Sequence, residues 1–332
     1  MKQVDYSPIR ALALVACAAA AAGAAGLAAQ PAVRAHLLLA VSQSDNKLAV
    51  FKVEAKAMNP VASIPIGSGA REVCVAADGR RAYVSNDKDN SVTVVDLESL
   101  QATATIPLPG LVRPDGCGTS PDSKKVYVTV MDSEAVAIIA ADTNRVIKTV
   151  KVGKEPRRIL FTPDNRRIFV TSEGSDEITI LDPTTDTVIG SMKSGGHAPR
   201  TLLFLPDKKT MLATNVDDDT VSFIKPDTKE VTLTIGAGGS PQRIEISHDG
   251  AWAFVLSVLE AKISIIDLKA EHVRAKKFVP VAPQPWGMAM NDEGTLLFVG
   301  SSKEGTVTAY DPTTWEAVGK VSVNRPMGIA YR

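Results

Sequence analysis

The sequence lacks net charge and is poor in cysteine and aromatic residues. Its 37 basic and 37 acidic residues cancel, so bulk charge does not attract a polyanion, and we expect no nucleic-acid partner. Only three of 332 residues are cysteine, and beyond residue 35 no stretch is long and apolar enough to span a bilayer. The composition, 45% hydrophobic and 22% charged, is typical of a soluble globule with a large core.

The chain also lacks the short motifs that accompany most catalytic chemistry. It has no G-x-S-x-G elbow, no C-x-x-C-H haem attachment and no glycine loop for phosphate. No histidine and carboxylate spacing suits zinc or iron, and the acidic stretches "DKDN" and "VDDDT" lack the length and glycine of a calcium loop. We therefore predict no metal and no cofactor, and we favour a protein that is not an enzyme.

Residues 1–35 have the pattern of a secretory signal peptide. A short basic start precedes an apolar, alanine-rich stretch over residues 11–29, and small residues follow it. We expect cleavage between residues 28 and 35 and export to the periplasm or the extracellular space. Two less favoured alternatives are an uncleaved membrane anchor and a lipoprotein signal in which Cys17 carries the lipid.

A strand-like segment recurs along the rest of the chain. The segment "AYVSN", which ends at Asn86, returns as "VYVTV", "IFVTS", "MLATN", "AFVLS" and "LFVGS", with "LLAVS" upstream, at spacings of 42 to 44 residues. Each unit holds four short runs rich in β-branched residues, bounded by turns such as "TPDN" and "DPTTD". An acidic residue that can cap its own backbone stands in the first turn of six units: Asp78, Asp122, Asp164, Asp207, Asp249 and Glu293. Four-stranded units at this period predict the blades of a β-propeller.

The length after the leader predicts seven blades in one all-β domain, residues 36–332. The first unit lacks an inner strand, whereas the last residues, "NRPMGIAYR", have the pattern of an inner strand with no blade after it. We therefore predict that residues 326–332 complete the antiparallel blade begun at residue 36. This closure leaves no open sheet edge between the first and last blades, and we expect a monomer.

These segments resemble the YVTN family of bacterial β-propellers. The resemblance rests on the "AYVSN" type of strand, on "PWGMA" and "PMGIA" at blade starts and on "VTVVD", and it covers residues 36–332. It implies a fold and says little about function, because these are strand and turn positions. Similar propellers that act as enzymes, namely 6-phosphogluconolactonase-like lactonases, streptogramin lyases and quinoprotein or d1-haem domains, provide the alternative to a binding or scaffold function.

Cys74 and Cys117 occupy nearly the same place on the inner strands of successive blades. Neighbouring sheets pack about 10 Å apart, farther than a disulfide spans between Cα atoms. We therefore expect two buried free thiols.

Arginine is concentrated at the blade starts, where propellers bind ligands around the mouth of the central channel. The residues that follow the blade-opening Pro, or Ala70, are Arg71, Asp115, Arg157, Arg200, Gln242, Trp286 and Met327, and the next position holds Glu72, Gly116, Arg158, Thr201, Arg243, Gly287 and Gly328. Guanidinium groups suit carboxylate or phosphate, so the set predicts a site for a small anionic ligand. The candidate ligand-binding residues are Arg71, Asp115, Arg157, Arg158, Arg200, Arg243 and Trp286.

Other interpretations of the mouth stay open. The hairpins between second and third strands are acidic, for example at Asp87 and Glu173, so the arginines could instead tie blade to blade, and this structural interpretation is slightly favoured. A protein partner is a further binding hypothesis. His197, in "SGGHAPR", is the candidate for proton transfer because no other histidine is placed to reach the mouth, although spacing identifies no partner for it.

Overall fold

Short runs of β-branched and aromatic residues become strands throughout the part of the chain that the structure describes. The structure is a computed structural model, and it describes residues 36–332. These residues form seven four-stranded antiparallel sheets and a single 3-10 turn, Glu173–Ser175. Each sheet is one blade, so the predicted seven-bladed all-β propeller is confirmed.

The strands of each blade, labelled a to d from the axis outward, follow chain order except in blade 1. Blade 1 comprises β28 (Pro326–Tyr331), β1 (Leu37–Ser42), β2 (Lys47–Glu54) and β3 (Ala57–Pro65). Blades 2 and 3 comprise β4 (Ala70–Val75), β5 (Arg81–Asn86), β6 (Ser91–Asp96) and β7 (Gln101–Pro107), then β8 (Pro114–Thr119), β9 (Lys125–Val130), β10 (Ala135–Ala140) and β11 (Arg145–Lys151). Blades 4 and 5 comprise β12 (Pro156–Phe161), β13 (Ile168–Ser172), β14 (Glu177–Asp182) and β15 (Thr187–Met192), then β16 (Pro199–Phe204), β17 (Met211–Asn215), β18 (Thr220–Lys225) and β19 (Glu230–Gly236). Blades 6 and 7 comprise β20 (Pro241–Ile246), β21 (Trp252–Ser257), β22 (Lys262–Asp267) and β23 (Ala275–Pro280), then β24 (Pro285–Met290), β25 (Leu297–Ser301), β26 (Thr306–Tyr310) and β27 (Ala317–Ser322).

The two ends of residues 36–332 meet in blade 1. Strand β28 pairs antiparallel with β1, with Leu38 opposite Tyr331. The backbones of Leu37 and Arg332 exchange two hydrogen bonds, at 2.8 and 2.9 Å. The predicted closure by residues 326–332 is therefore confirmed.

The hydrophobic core lies between neighbouring blades. Strands b and c of blade 2 are buried almost throughout, whereas the outer strand d is mostly exposed. Sheets on both sides cover the middle strands, and this explains their continuous apolar runs. The c–d pairing of every blade carries a bulge, which twists the free outer edge and disfavours pairing with another chain.

The turns between strands a and b use the predicted carboxylate caps. A backbone N–H two residues further on donates to the side chain at 2.8 to 3.1 Å at five of them, namely Asp78, Asp122, Asp164, Asp207 and Asp249. At the sixth turn, Asn291 and not Glu293 accepts backbone N–H groups, including that of Leu296 at 2.8 Å.

Cys74 and Cys117 form a disulfide, so the prediction of two free thiols is wrong. Their Cα atoms lie 5.9 Å apart. Inner strands converge toward the axis: a Cβ added to Gly116 would lie only 1.8 Å from the carbonyl oxygen of Arg157 in the next blade. The spacing of about 10 Å between packed sheets therefore applies farther out along the blade, and it does not apply to strand a. The bond joins the inner strands of blades 2 and 3.

The proposed leader, residues 1–35, lies outside the described residues, as does Cys17. Signal peptide, anchor and lipoprotein signal thus stay predictions. Among residues 36–332, no helix is long and apolar enough to cross a membrane.

Candidate functional site at the channel mouth

A bulge at the start of the inner strands brings the candidate arginines to one end of the channel, where the d-to-a and b-to-c loops converge. We call this end the mouth. In blade 4, β12 is in register with β13 at Pro156 and again only at Ile159, so Arg157 and Arg158 fall within the irregular stretch. Blades 2 and 5 have the same irregularity. Because a bulge re-aims side chains, consecutive residues of one strand can both contribute to the mouth.

A buried carboxylate connects three blades across the channel. An oxygen of Glu72 in blade 2 accepts from Arg158 of blade 4 at 2.6 Å and from Arg243 of blade 6 at 2.7 Å. Glu72 is only 6% exposed. Burial lowers the pKa of Arg158 to about 10, and the like charge of Arg243 acts in the same direction. We call Glu72, Arg158 and Arg243 the central triad. Each of its two ion pairs crosses the channel axis and joins blade 2 to another blade.

The other arginines surround this triad and pair with hairpin carboxylates. The structural interpretation predicted pairs that tie blade to blade, and the pair of Arg200 with Glu173 is of that kind. Glu173 of blade 4 binds Arg157 of its own blade and Arg200 of blade 5, the latter at 2.7 Å. Arg71 binds Asp87 of its own hairpin at 2.7 Å. One of these pairs therefore joins adjacent blades, and the others connect the start of an inner strand to the b-to-c hairpin of its own blade.

Asp115 lies among these arginines and is 4% exposed. Burial opposes its ionisation, but the positive charges of Arg158, Arg157 and the neighbouring arginines prevail and hold its pKa below the ordinary value. A guanidinium nitrogen of Arg157 lies 3.6 Å from one carboxylate oxygen. Asp115 is therefore an anion that compensates the arginine cluster.

The charges of this arginine cluster do not balance. The cluster consists of five arginines and four carboxylates: Arg71, Arg157, Arg158, Arg200 and Arg243 with Glu72, Asp87, Asp115 and Glu173. Among the described residues, no acceptor binds Nε or Nη1 of Arg158, and no donor hydrogen-bonds to Oδ2 of Asp115 or Oε1 of Gln242. A cavity of about 20 Å³ adjoins these groups. The cluster thus has one arginine more than it has carboxylates, and it contains buried donors and acceptors with unused hydrogen-bonding capacity.

Trp286 completes the cluster on the side of blade 7. Its carbonyl oxygen accepts from Nε of Arg243 at 3.1 Å. The guanidinium of Arg200 lies 6.0 Å from the centre of its ring, within the range of a cation–π contact. All seven candidate ligand-binding residues therefore belong to one region, and six of them line the small cavity, whereas Arg157 lies beside it.

His197 lies at the rim of the mouth. Its ring Nδ1 is 3.0 Å from Asp218, and its side chain is 65% exposed. The hydrogen bond and the charge of Asp218 raise the pKa of His197. Its polar contacts within residues 36–332 are to Asp218 alone, so His197 is not brought together with the arginines. Within the same residues, no group of three or more His, Cys, Asp or Glu side chains is placed to hold a metal ion.

Sequence reasoning did not identify Glu72 and Gln242 as site residues, although both stood in the aligned positions. Glu72 was recognisable as the single acidic residue among the seven residues at its position. Gln242 carried no comparable signal. A third residue, Glu245, occurs two positions after Arg243 on β20 and could not be distinguished from an ordinary strand residue.

Glu245 makes stability depend on pH. Burial raises its pKa to about 8, and Arg243 opposes this only in part. The folded protein therefore holds this proton more tightly than the unfolded chain, so stability falls as pH rises from about 4.5 to about 8. We expect Glu245→Gln to change stability little at pH 5 and to increase it at pH 8 by ~2 to 4 kcal/mol, because one pKa unit corresponds to ~1.4 kcal/mol.

Urea unfolding at both pH values measures this difference. The control is Glu54→Gln, whose side chain is 58% exposed and pairs only with Lys52 at the surface. Equal stability of the Glu245→Gln variant and the unmodified protein at pH 8 would contradict a raised pKa of Glu245 in the folded protein.

Comparison with known proteins agrees with the propeller fold. The model of the YNCE-like β-propeller family matches residues 21–167 and 161–255, which together exceed half of the chain. The chain belongs to the YNCE-like β-propeller family. The resemblance to YVTN propellers, inferred from the repeated strands, is consistent with this membership. A comparison with curated proteins gave no significant match.

Several solved structures share the fold of this YNCE-like propeller. Hydrazine synthase from Kuenenia stuttgartiensis is 26% identical, with a TM-score of 0.66 over 73% of this chain and 76% of that one. A putative 6-phosphogluconolactonase from Bacteroides fragilis is 15% identical, with a TM-score of 0.78 over 91% and 99%. Dihydro-heme d1 dehydrogenase NirN is 15% identical, with a TM-score of 0.69 over 89% and 74%. The last two likenesses concern the fold alone.

Proposed function

We propose that this propeller is a binding protein that takes the anionic group of a small ligand at the channel mouth. The observation that carries the proposal is the excess of one arginine over the carboxylates in the cluster, together with two buried nitrogens of Arg158, Nε and Nη1, whose N–H groups have no acceptor among residues 36–332. A carboxylate or phosphate oxygen would supply the missing acceptor, and charge-assisted hydrogen bonds of this kind are strong.

The size of the cavity limits what can enter. A volume of about 20 Å³ accommodates roughly one water-sized group. Only the charged end of a ligand would therefore reach Arg158, and the remainder would lie among the loops of the mouth. Trp286 offers an apolar surface beside Arg200 for that remainder.

The alternative of a lactonase-like hydrolase or lyase has less support. It would require an acid or base beside the anionic group, and His197 pairs with Asp218 at the exposed rim. The fold shared with a putative 6-phosphogluconolactonase does not decide between the two, because propellers of one architecture carry many functions.

Isothermal titration calorimetry with inorganic phosphate, citrate and 6-phosphogluconate at constant ionic strength tests the proposal. We expect saturable binding of at least one of them, and a loss of about 10- to 100-fold in Arg158→Met, since a hydrogen bond to a charged group contributes ~1.5 to 3 kcal/mol. In this variant Glu72 keeps Arg243 as a partner. A double variant of Arg157 and Arg200 is less suitable, because it leaves Glu173, whose side chain is only 10% exposed, without either arginine partner.

The matched control is Arg166→Met. The side chain of Arg166 is 84% exposed in an a-to-b turn at the opposite end of the blades. The Arg166→Met variant should therefore bind these anions with the affinity of the unmodified protein. If the unmodified protein binds none of the three anions while Arg158→Met unfolds at a much lower temperature, the cluster is a structural plug and the proposal is wrong.

A further inference from the structure

At the end of the blades opposite the mouth, a polar contact recurs between neighbouring blades. The residue at the start of strand b reaches the c-to-d turn of the next blade. Arg81 of blade 2 donates to the carbonyl oxygen of Ala141. Lys125 of blade 3 donates to Pro183 O at 3.1 Å and to Asp186 at 2.6 Å. We call this contact the blade latch.

Blade 4 repeats the latch. There Arg167 binds the carbonyl oxygen of Pro226, at 3.4 Å, and the carboxylate of Asp227 in blade 5. Three consecutive blades thus use a cationic side chain to close the gap to the next turn.

Blade 6 has aromatic residues at the same positions. Trp252 stands where blade 3 has Lys125, and the turn "DPTTW" of blade 7 places Trp315 where "DPTTD" of blade 4 has Asp186. Phe254 replaces Tyr127, whose hydroxyl donates to Asp186 at 2.6 Å. Trp252, Phe254 and Trp315 form what we call the aromatic trio. It lies between blades 6 and 7 at the place where the polar blade latch lies between blades 3 and 4.

The aromatic trio leaves a cleft. Its volume is about 570 Å³, in the range of small-molecule sites, and its floor is formed by the buried side chains of Phe254 and Ile265. The corresponding gap between blades 4 and 5 measures about 320 Å³, and the ion pair of Arg167 with Asp227 crosses it. The cleft between blades 6 and 7, where aromatic residues replace the blade latch, is therefore larger and more apolar than the gap between blades 4 and 5.

Trp315 is held in an unusual backbone conformation. Its φ is 66°, in the left-handed region that bulky side chains rarely adopt. The ring of Phe254 packs edge-on against it at 5.1 Å. The turn thus tolerates local strain while it directs an indole into the wall of the cleft.

The basic residues that line the cleft are two lysines and one histidine. Lys276 and Lys277 lie on strand d of blade 6, and His248 lies in the facing a-to-b turn. Lys276 is paired with Asp267. Lys277 makes no side-chain hydrogen bond or ion pair with any residue in 36–332, and the carboxylate of Asp249 is held by its own turn. A ligand with an apolar planar body and one negative charge complements this arrangement.

We propose that the cleft between Trp252 and Trp315 is a second binding site, for a planar aromatic molecule that bears a carboxylate. The ring would lie on Phe254 and Ile265 between the two indoles, and the carboxylate would pair with Lys277. This site is independent of the channel mouth, because it lies at the opposite ends of the strands and shares no residue with the arginine cluster.

Calorimetric titration with 2-naphthoate, with the uncharged 2-naphthalenemethanol as comparator, tests the proposal. We expect one saturable site for naphthoate and affinity at least fivefold weaker for the alcohol. Trp252→Arg introduces the arginine that forms the latch in blade 2. This variant should bind naphthoate at least tenfold more weakly, without a lower melting temperature. Lys277→Gln should weaken naphthoate but leave the alcohol unchanged, and it provides a test even if Trp252→Arg folds poorly.

Two controls separate this cleft from the mouth. Trp286→Phe removes the third tryptophan of the chain, which lies at the mouth, and should not change the affinity for naphthoate. Arg158→Met, also at the mouth, should not change it either. Absence of saturable binding to the unmodified protein, or equal affinity of the Lys277→Gln variant for naphthoate, would overturn the proposal.

Discussion

Removal of residues 326–332 is expected to abolish the cooperative unfolding transition of this propeller. Strand β28 is the inner strand of blade 1, and it also packs against the inner strands of blades 2 and 7. Met327 and Ile329 are at most 9% exposed and belong to two different core clusters. Truncation would expose both clusters and leave β1 with an unpaired edge, a loss we place above ~5 kcal/mol, comparable with the whole stability of many domains.

Thermal unfolding followed by circular dichroism, together with small-angle scattering, measures this effect. A circular permutant that places residues 323–332 ahead of residue 36, joined through a short inserted turn, is the matched control, because it keeps all strands and gives blade 1 the chain order of the other blades. The permutant should fold. A truncated protein with the melting temperature and radius of the intact one would contradict the closed ring.

Glu72→Ala is expected to destabilise the protein by about 3 to 5 kcal/mol, the usual cost of removing one partner from a buried ion pair. Glu72 binds Arg158 and Arg243 from opposite sides of the channel, and without it two buried guanidinium groups would face each other. The pKa of Arg158, lowered to about 10 even with Glu72 present, shows how poorly that charge is solvated.

The control for this prediction is Asp132→Ala. Asp132 pairs with Arg113 on the same face, but both side chains are more than 40% exposed, so the loss should stay below ~1 kcal/mol. Replacing all three members of the central triad by apolar residues of similar size should recover part of the stability lost in Glu72→Ala. Equal denaturation midpoints for Glu72→Ala and Asp132→Ala would show that the triad contributes nothing to folding.

The disulfide illustrates where sequence reasoning failed. Cys74 and Cys117 do lie on successive inner strands, but the average spacing of packed sheets does not give the distance between them. Blades of a propeller are wedges, so their inner strands approach more closely than their middle strands, and 5.9 Å between Cα atoms suffices for the bond. "GCGTS", with its small residues, indicated this crowding.

The pairing of the arginines was foreseen only in part. The contacts of Arg71 and Arg157 with their own hairpins are local, since each spans 16 positions. The acidic hairpins indicated carboxylate partners, but the predicted pairs joined one blade to the next. The contact of Arg243 with Glu72 spans 171 positions and crosses the channel. No spacing rule along the chain relates two residues that meet only because seven wedges close a circle.

By itself, the sequence determined the blade, the number of blades and the manner of closure. Strand propensity, turn-capping carboxylates and the repeat period are local properties, and they recur often enough to be recognised without a partner sequence. The tertiary structure alone decided which charges meet at the axis, which cysteines bond and where an aromatic cleft replaces a blade latch. Those outcomes depend on distances between separate blades, which are set by how the sheets pack around the ring and are not encoded in any single repeat.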